Sequence, residues 1–164
     1  MTMNKDQALQ ALSQALKLEQ DGKTFYLKAA AETVDAKGKA MFLSLADDET
    51  LHAEMIQRQL HALEGDGSYV LLPDLDASDI DLDAQIFPPD KVDAKVGVNP
   101  SEIDALHVAL EAEMKSYDLY RAAAKDSDEG PGKQMYVWLS KAELNHFNLL
   151  MENYEAIVAG AGWV

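Results

Sequence analysis

The chain has 164 residues, no cysteine and a net charge of −15 at neutral pH. Its length suits one domain with a hydrophobic core, and an apolar content of 48% argues against disorder. The lack of cysteine excludes disulfides, thiolate metal sites and iron–sulfur clusters. The negative charge disfavours nucleic acid and anionic membranes as partners. Neither a secretory signal pattern nor a membrane-spanning apolar run is seen, so a cytoplasmic protein is expected.

The first part of the chain predicts a helical pair followed by a long connection. Residues 4–32 and 36–64 are rich in helix-forming residues, and the short join between them predicts antiparallel neighbours. Residues 66–99 change character, with eight Asp, three Pro and no Glu. This acidic segment is too long for a tight turn, and its scattered apolar residues predict a crossover that lies along the helices.

The second part predicts another helical pair. Residues 100–127 follow Asn99-Pro100, which is a typical helix start. Gly130-Pro131 interrupts the chain before a helix over 132–158, and the remaining tail is too short for a further helix. Two hairpins joined by a long crossover predict an all-α four-helix bundle, as a single domain over the whole chain.

Four chemically active residues occur twice with the same spacing. Each half has a Glu, then a Tyr, then a Glu-x-x-His set, and corresponding residues are 94 positions apart. A duplicated fold repeats its apolar pattern, but this chain also repeats residue types that bind and tune metals. The first set is Glu19, Tyr26, Glu49 and His52, and the second is Glu113, Tyr120, Glu143 and His146.

Helical periodicity places these polar residues on inward-facing stripes. Glu19 shares a face with Leu12 and Ala15, and residues three apart in Glu-x-x-His also share a face. Four buried carboxylates cannot remain ionised without compensating charge, and two divalent cations would supply it. Gly22 and Ser116 would leave room for ions and an external ligand. The alternatives are a buried polar network and a site that has lost its metal.

The repeated set resembles the ferritin-like di-iron carboxylate superfamily, and within it the rubrerythrin-like branch without a rubredoxin domain. Members of such bundles carry one Glu on each of two helices and Glu-x-x-His on each of the other two. The resemblance implies two iron ions as cofactor, although manganese or zinc also suits these ligand types. It implies terminal ligands Glu19 and Glu113, bridging ligands Glu49 and Glu143, and single-metal ligands His52 and His146.

Neighbouring residues receive separate predictions. Tyr26 and Tyr120 lie on the faces of the terminal Glu residues and are predicted to hydrogen-bond ligating carboxylates, the alternative being ordinary core aromatics. His61 and His107 stand outside the repeat and are predicted to take no part. The acids predicted to point to solvent are Asp48, Glu54 and Glu111, and the aromatics predicted to pack rather than carry electrons are Phe42, Trp138 and Phe147.

The resemblance implies an oxidoreductase that acts in oxidative stress and reduces peroxide or dioxygen with electrons from an external donor protein. Rubrerythrins also carry a cysteine-ligated electron-delivery module and an extra Glu on the third helix. This chain has no cysteine, and Leu110 and Ser116 occupy the candidate positions for that Glu. A ferroxidase that handles or stores iron is the main alternative, and a bundle holding redox-inert zinc is another. The resemblance further implies a homodimer or a higher homo-oligomer.

Overall fold

The structure, a computed structural model, describes residues 2–76, 80–92 and 97–164. Within them the chain forms four helices and no strand, and no helix is long and apolar enough to cross a membrane. The predicted all-α four-helix bundle with a long crossover is therefore confirmed, and the predicted helix ends agree to within one residue. The helices are α1 (Lys5–Glu32), α2 (Ala36–Gly65), α3 (Pro100–Asp126) and α4 (Pro131–Val158).

Polar side chains fix where three of the helices begin. Asn4 accepts a hydrogen bond from the backbone N–H of Gln7, and the Gln7 side chain accepts one from the backbone N–H of Asn4. Asp35 caps α2 and Asn99 caps α3, where Pro100 is the first helical residue. Such caps contribute about 1 kcal/mol each. They set the level at which each helix presents its inward side chains.

Two apolar clusters fill the bundle, one toward each end. The first contains the end of α1 and the start of α2, including Phe42 and Leu45, with the start of α3 and the end of α4. The second contains the start of α1 and the end of α2, including Leu12 and Ile56, with the end of α3 and the start of α4. The α1–α2 turn adjoins the first cluster and the α3–α4 turn adjoins the second, so the two hairpin turns lie at opposite ends of the bundle. The middle of the bundle is left to polar residues.

The 94-residue repeat extends to the segments that follow α2 and α4. The ring of Tyr69 covers Gly132, where an added Cβ would lie 2.7 Å from Cε2 of the tyrosine. The ring of Trp163 covers Gly38 in the same way, at 2.6 Å from its Cε2. Both pairs keep the 94-residue shift. The segment that follows the second helix of each hairpin thus places an aromatic ring on the second helix of the other hairpin.

Buried amides hold these two segments in place. The Gln59 side chain donates to the carbonyl of Val70 and accepts from its N–H, at 2.8 and 2.9 Å. In the second half, Asn153 accepts a hydrogen bond from the N–H of Val164 at 3.1 Å. Gln59 and Asn153 are fully buried and also correspond under the repeat. The 94-residue repeat therefore includes the segments that follow α2 and α4 as well as the helices themselves.

The crossover lies against the bundle in the stretches that the structure describes, 66–76, 80–92 and 97–99. Leu72 is buried, and Leu82 packs on the second apolar cluster while Ile86 packs on the first. This confirms the predicted course for those stretches. Two of its apolar residues are exceptions, because Leu71 is 65% exposed and Phe87 is 71% exposed. The predicted crossover residues 77–79 and 93–96 lie outside the described residues.

Candidate metal centre

Six carboxylate and imidazole side chains meet in the polar layer between the two apolar clusters. Each helix contributes to the layer, with one Glu on α1 and on α3 and a Glu-x-x-His set on α2 and on α4. All six are buried, and the most exposed of them is only 6% accessible. The structure therefore brings together every residue of the repeated ligand set: Glu19, Glu49, His52, Glu113, Glu143 and His146.

The six residues form two overlapping groups of four. One ligand atom from each of Glu19, Glu49, His52 and Glu143 lies within 4.8 Å of the others. The second group keeps Glu49 and Glu143, but its other members are Glu113 and His146. Each group has the size and donor types of a divalent-cation site. Glu49 and Glu143 thus contribute to both groups.

Both imidazoles direct Nδ1 toward the carboxylates. His52 Nδ1 lies 3.1 Å from Glu143 Oε1 and 3.3 Å from Glu19 Oε2. His146 Nδ1 lies 3.3 Å from Glu49 Oε1 and from Glu143 Oε2. The two rings are stacked, with centroids 5.6 Å apart and planes 18° from parallel. Nδ1 of His52 is thus available to the first group, and Nδ1 of His146 is available to the second.

Several polar atoms in this layer lack a well-aligned hydrogen bond within the part of the chain that the structure describes. They are Glu19 Oε2, Glu49 Oε1, Glu143 Oε2 and His146 Nδ1. Buried polar atoms in proteins nearly always have partners, so such a concentration needs an explanation. All four atoms belong to the two groups and point into them. The donor set and its unsatisfied atoms fit a pair of metal ions.

Burial and hydrogen-bond partners together divide the four carboxyl groups into two classes by their pKa. It raises the pKa of Glu49 to about 11, with the charge of Glu143 adding to the effect, and it raises the pKa of Glu143 well above its usual range. Burial acts in the same direction on Glu19, but hydrogen bonds from His52 and others lower that pKa to about 2. The pKa of Glu113 is also lowered against burial, by its contacts with Glu143 and His146. Without metal, the two shared carboxyls therefore retain the protons.

Two tyrosines join the hairpins across the site. Tyr26 on α1 donates a hydrogen bond to Glu113 Oε1 on α3, and Tyr120 on α3 donates one to Glu19 Oε1 on α1. Burial, with the nearby carboxylates, raises the pKa of both phenols well above the usual value, so both remain donors at neutral pH. The predicted hydrogen bonds to candidate ligands are present, and each tyrosine contacts the Glu of the opposite hairpin.

Asp48 contacts the site, although the sequence predicts that it points to solvent. Its Oδ2 lies 3.0 Å from Nε2 of His146, and this hydrogen bond lowers the pKa of the Asp48 carboxyl. The side chain is 47% exposed, so it reaches the site from the surface of α2. The repeat could not reveal it, because the corresponding residue is Ala142. In the other half, the ring of His52 packs edge-on against Trp138, with centroids 5.4 Å apart.

The remaining predictions concern residues outside the site. His61 is exposed and contacts Gln57, and Nε2 of His107 lies 3.0 Å from the carbonyl of Pro89. Neither histidine belongs to a ligand group among the described residues. Two acids are exposed as predicted, namely Glu54 and Glu111.

A cavity of about 290 Å³ between α1 and α3 leads to the site. Its walls include Tyr26 and the carboxylates Glu49 and Glu113. Gly22 leaves room for the Glu49 carboxylate at its inner end, because a Cβ there would lie 2.9 Å from Glu49 Oε2. Ser116, at the corresponding position of α3, also lines it. The space predicted around these two small residues is therefore present, and it can admit a small molecule.

The function has to be inferred from the site, because comparison with known proteins does not assign one. Searches against protein-family models and against curated proteins find no match. What is established is a buried Glu/His cluster that can hold metal ions. The choice of metal and reaction must follow from the geometry and chemistry of these side chains.

Proposed function

We propose that the protein is a di-iron oxidoreductase of rubrerythrin-like type within the ferritin-like superfamily. It would reduce peroxide or dioxygen with electrons from an external donor protein. One observation carries the proposal: two buried four-residue ligand groups share the carboxylates Glu49 and Glu143. Carboxylate oxygens with one imidazole per ion suit iron, and a shared pair of carboxylates suits two ions held side by side.

The six side chains would hold the ions with their charges balanced. The four carboxylates carry four negative charges when ionised, which matches two divalent ions. His52 and His146 would each offer Nδ1 to one ion. When bound, iron supplies the electrons and the coordination positions that cleavage of an O–O bond requires.

Surrounding residues would orient the ligands. Tyr26 and Tyr120 each fix one oxygen of a terminal carboxylate, so the other oxygen faces the ion position. Asp48 accepts the Nε2–H of His146, which leaves the Nδ1 lone pair directed into the ligand group. These contacts pre-orient the site before metal enters and keep the ligands in place when the metal changes charge.

The route to the site favours a small oxidant. The cavity between α1 and α3 has a volume of about 290 Å³ and ends at Glu49 and Glu113. Gly22 keeps an oxygen of Glu49 accessible from that cavity. Peroxide and dioxygen can pass such an opening, whereas apolar packing closes the site toward both ends of the bundle. Small molecules therefore reach the site between α1 and α3 rather than through the ends of the bundle.

Anaerobic loading with Fe(II), followed by stopped-flow mixing with hydrogen peroxide or dioxygen, tests the proposal. We expect saturation near two irons per chain and faster oxidation by peroxide than by dioxygen. A Glu49→Gln, Glu143→Gln double variant should lose the paired site, while Glu54→Gln, on the exposed face of α2, should bind iron as the parent does. Failure of the parent protein to bind iron, or binding without oxidation by either oxidant, would contradict the proposal.

A ferroxidase that handles or stores iron is the second candidate. The net charge of −15 favours it, because a strongly acidic surface concentrates cations around the protein. The same titration separates the two functions. Uptake far beyond the two ions that the ligand groups can hold would support storage, and saturation at the paired site would support the oxidoreductase. Elemental analysis of the purified protein distinguishes both from a manganese or zinc bundle.

A further inference from the structure

The cavity between α1 and α3 reaches the candidate ligands of one ion position and not those of the other. Its walls include Glu49, which both groups share, and Glu113, which belongs to the second group alone. The residues that correspond to them under the repeat, Glu143 and Glu19, do not line it. Since Glu19 occurs only in the first group, the cavity opens on the second group.

The two imidazoles differ in the same direction. His146 of the second group is 6% accessible and hydrogen-bonds through Nε2 to Asp48, whose side chain is 47% exposed. His52 of the first group is 2% accessible and packs against the ring of Trp138. The residue that corresponds to this tryptophan in the other half is Ser44. Solvent therefore comes near the imidazole of one position, whereas an indole ring packs on that of the other.

The shared carboxylates also differ in what stands beside them. Gly22 leaves the space next to Glu49 free, because a Cβ at that position would lie 2.9 Å from Glu49 Oε2. The corresponding residue on α3 is Ser116, which carries a side chain. A small ligand in the cavity can therefore approach Glu49 and Glu113 together, and these two carboxylates meet only in the second group.

The size and chemistry of the cavity limit what can occupy it. A water molecule takes up about 30 Å³ of liquid volume, so a cavity of about 290 Å³ accommodates a ligand of a few atoms together with water. Leu18 and Phe25 provide apolar walls. A ligand held there would therefore bind chiefly through the positive charge of an ion beside Glu113, which favours small anions such as azide and hydroperoxide.

We propose that the two ion positions are inequivalent. The open position, with Glu113 and His146, exchanges its ion and binds a small anionic ligand through this cavity, whereas the closed position, with Glu19 and His52, does neither. This inference rests on the paired ion site of the proposed function, but not on the reaction. It assigns oxidant binding to one ion of the pair, and it requires the ions to enter and leave in a fixed order.

Two matched variants that each keep one position test the assignment with Co(II), whose visible absorption reports its ligands. Glu19→Gln leaves the open position intact and Glu113→Gln the closed one, and each variant is loaded with one Co(II) per chain. We expect azide to shift the spectrum of Glu19→Gln and not that of Glu113→Gln. A chelator should remove Co(II) from Glu19→Gln at least about tenfold faster, a difference of about 1.4 kcal/mol in the barrier. Equal behaviour of the two variants, or the reverse order, would overturn the inference.

A further variant keeps all six ligands, so it decides the matter if either Gln variant fails to hold Co(II). Leu18→Trp fills the cavity with an indole ring, and the control Leu27→Trp makes the same change at an exposed position of α1. With Co(II) at both positions, we expect Leu18→Trp to slow azide binding at least about tenfold and Leu27→Trp to leave it unchanged, while circular dichroism shows that both variants fold.

The two proposals fail in different ways. Equal azide rates in Leu18→Trp and Leu27→Trp would overturn the inequivalence and leave the di-iron function intact. A parent protein that binds neither Co(II) nor Fe(II) as a pair would overturn the proposed function and the inequivalence together.

Discussion

At the scale of single residues, Gly22 keeps Glu49 in its place. A methyl group at this position would lie 2.9 Å from Glu49 Oε2, which is closer than van der Waals contact allows. Alanine would favour the helix by about 1 kcal/mol over glycine, but overpacking a buried site costs about 1–3 kcal/mol. At Gly22 the methyl group would meet only the end of the flexible Glu49 side chain, which can move aside, so the cost lies at the low end of that range and roughly offsets the gain. The displaced carboxylate is therefore the main consequence.

We therefore predict that Gly22→Ala weakens metal binding more than it changes folding stability. Anaerobic Fe(II) titration and thermal unfolding of the metal-free protein measure the two effects. Ser116→Ala is the matched control, because it changes the corresponding position on α3 without adding volume. Equal iron affinity in Gly22→Ala and in the parent would show that Glu49 does not need this space.

Asp48 is expected to strengthen metal binding through His146. Loss of a partner that orients a ligating imidazole typically costs about 10–100-fold in metal affinity. We predict a loss of that order for Asp48→Ala, measured by competition with a chelator. Glu54→Ala removes an exposed acid of the same helix and should leave the affinity unchanged. If both variants behave alike, Asp48 acts only through surface charge.

The contact of Asp48 with His146 also shows why the sequence predicted some parts of the site and missed others. The six candidate ligands were found because helical periodicity and a fixed 94-residue shift both mark them. Asp48 and His146 belong to different hairpins, and Ala142 breaks the repeat at the position that corresponds to Asp48. Pairing between distant segments depends on how the hairpins dock, which local spacing does not encode.

At the scale of elements, two glycines allow aromatic side chains to close the hairpins. Added methyl groups at Gly38 and Gly132 would collide with the rings of Trp163 and Tyr69. Gly65 also lies in a helix, but a methyl group there would meet nothing within 4 Å. The same substitution should therefore have opposite effects at buried and open positions.

We predict that Gly38→Ala and Gly132→Ala each lower the free energy of unfolding by about 1–3 kcal/mol, despite the better helix propensity of alanine. Gly65→Ala should be neutral or stabilising by up to about 1 kcal/mol. Guanidinium unfolding followed by circular dichroism measures all three. If Gly65→Ala destabilises the protein as much as the other two variants, the loss of stability comes from the helix backbone and not from collision with the aromatic rings.

Helix limits were predictable because caps and prolines act locally, as Asn99-Pro100 illustrates. The role of the tail was not, since Trp163 is buried by docking on Gly38, which is far away in sequence. The exposed Phe87 shows the converse, because an apolar residue in a connection need not find a place in the core. Packing of irregular segments depends on the finished surface of the helices.

At the scale of the whole molecule, the buried polar layer makes stability depend on pH and on metal. The folded state raises the pKa of Glu49 to about 11 and also raises those of Glu143 and His146. Between the unfolded values of these groups and the raised folded values, the folded protein holds more protons than the unfolded chain. Its stability must then fall as pH rises.

We predict that the metal-free protein loses stability from about pH 5 to pH 9, at about 1.4 kcal/mol per pH unit for each additional proton that the folded protein holds. Chemical unfolding at a series of pH values measures the slope. Glu49→Gln, a neutral replacement of similar shape, should reduce it. Saturating metal should stabilise the protein most at high pH, because the metal competes with protons for the same oxygens. A metal-free stability that increases over this range would contradict the prediction.

The hydrogen bonds from Tyr26 to Glu113 and from Tyr120 to Glu19 also bear on the history of the chain. Each hairpin supplies the tyrosine that its counterpart needs, and neither contains a complete ligand group. A single hairpin would be useful only when paired with a second copy of itself. A symmetric dimer of that kind, joined into one chain, would have the arrangement of this molecule. Phe42 opposite Tyr136, and Ala142 opposite Asp48, are two of the positions at which the halves differ.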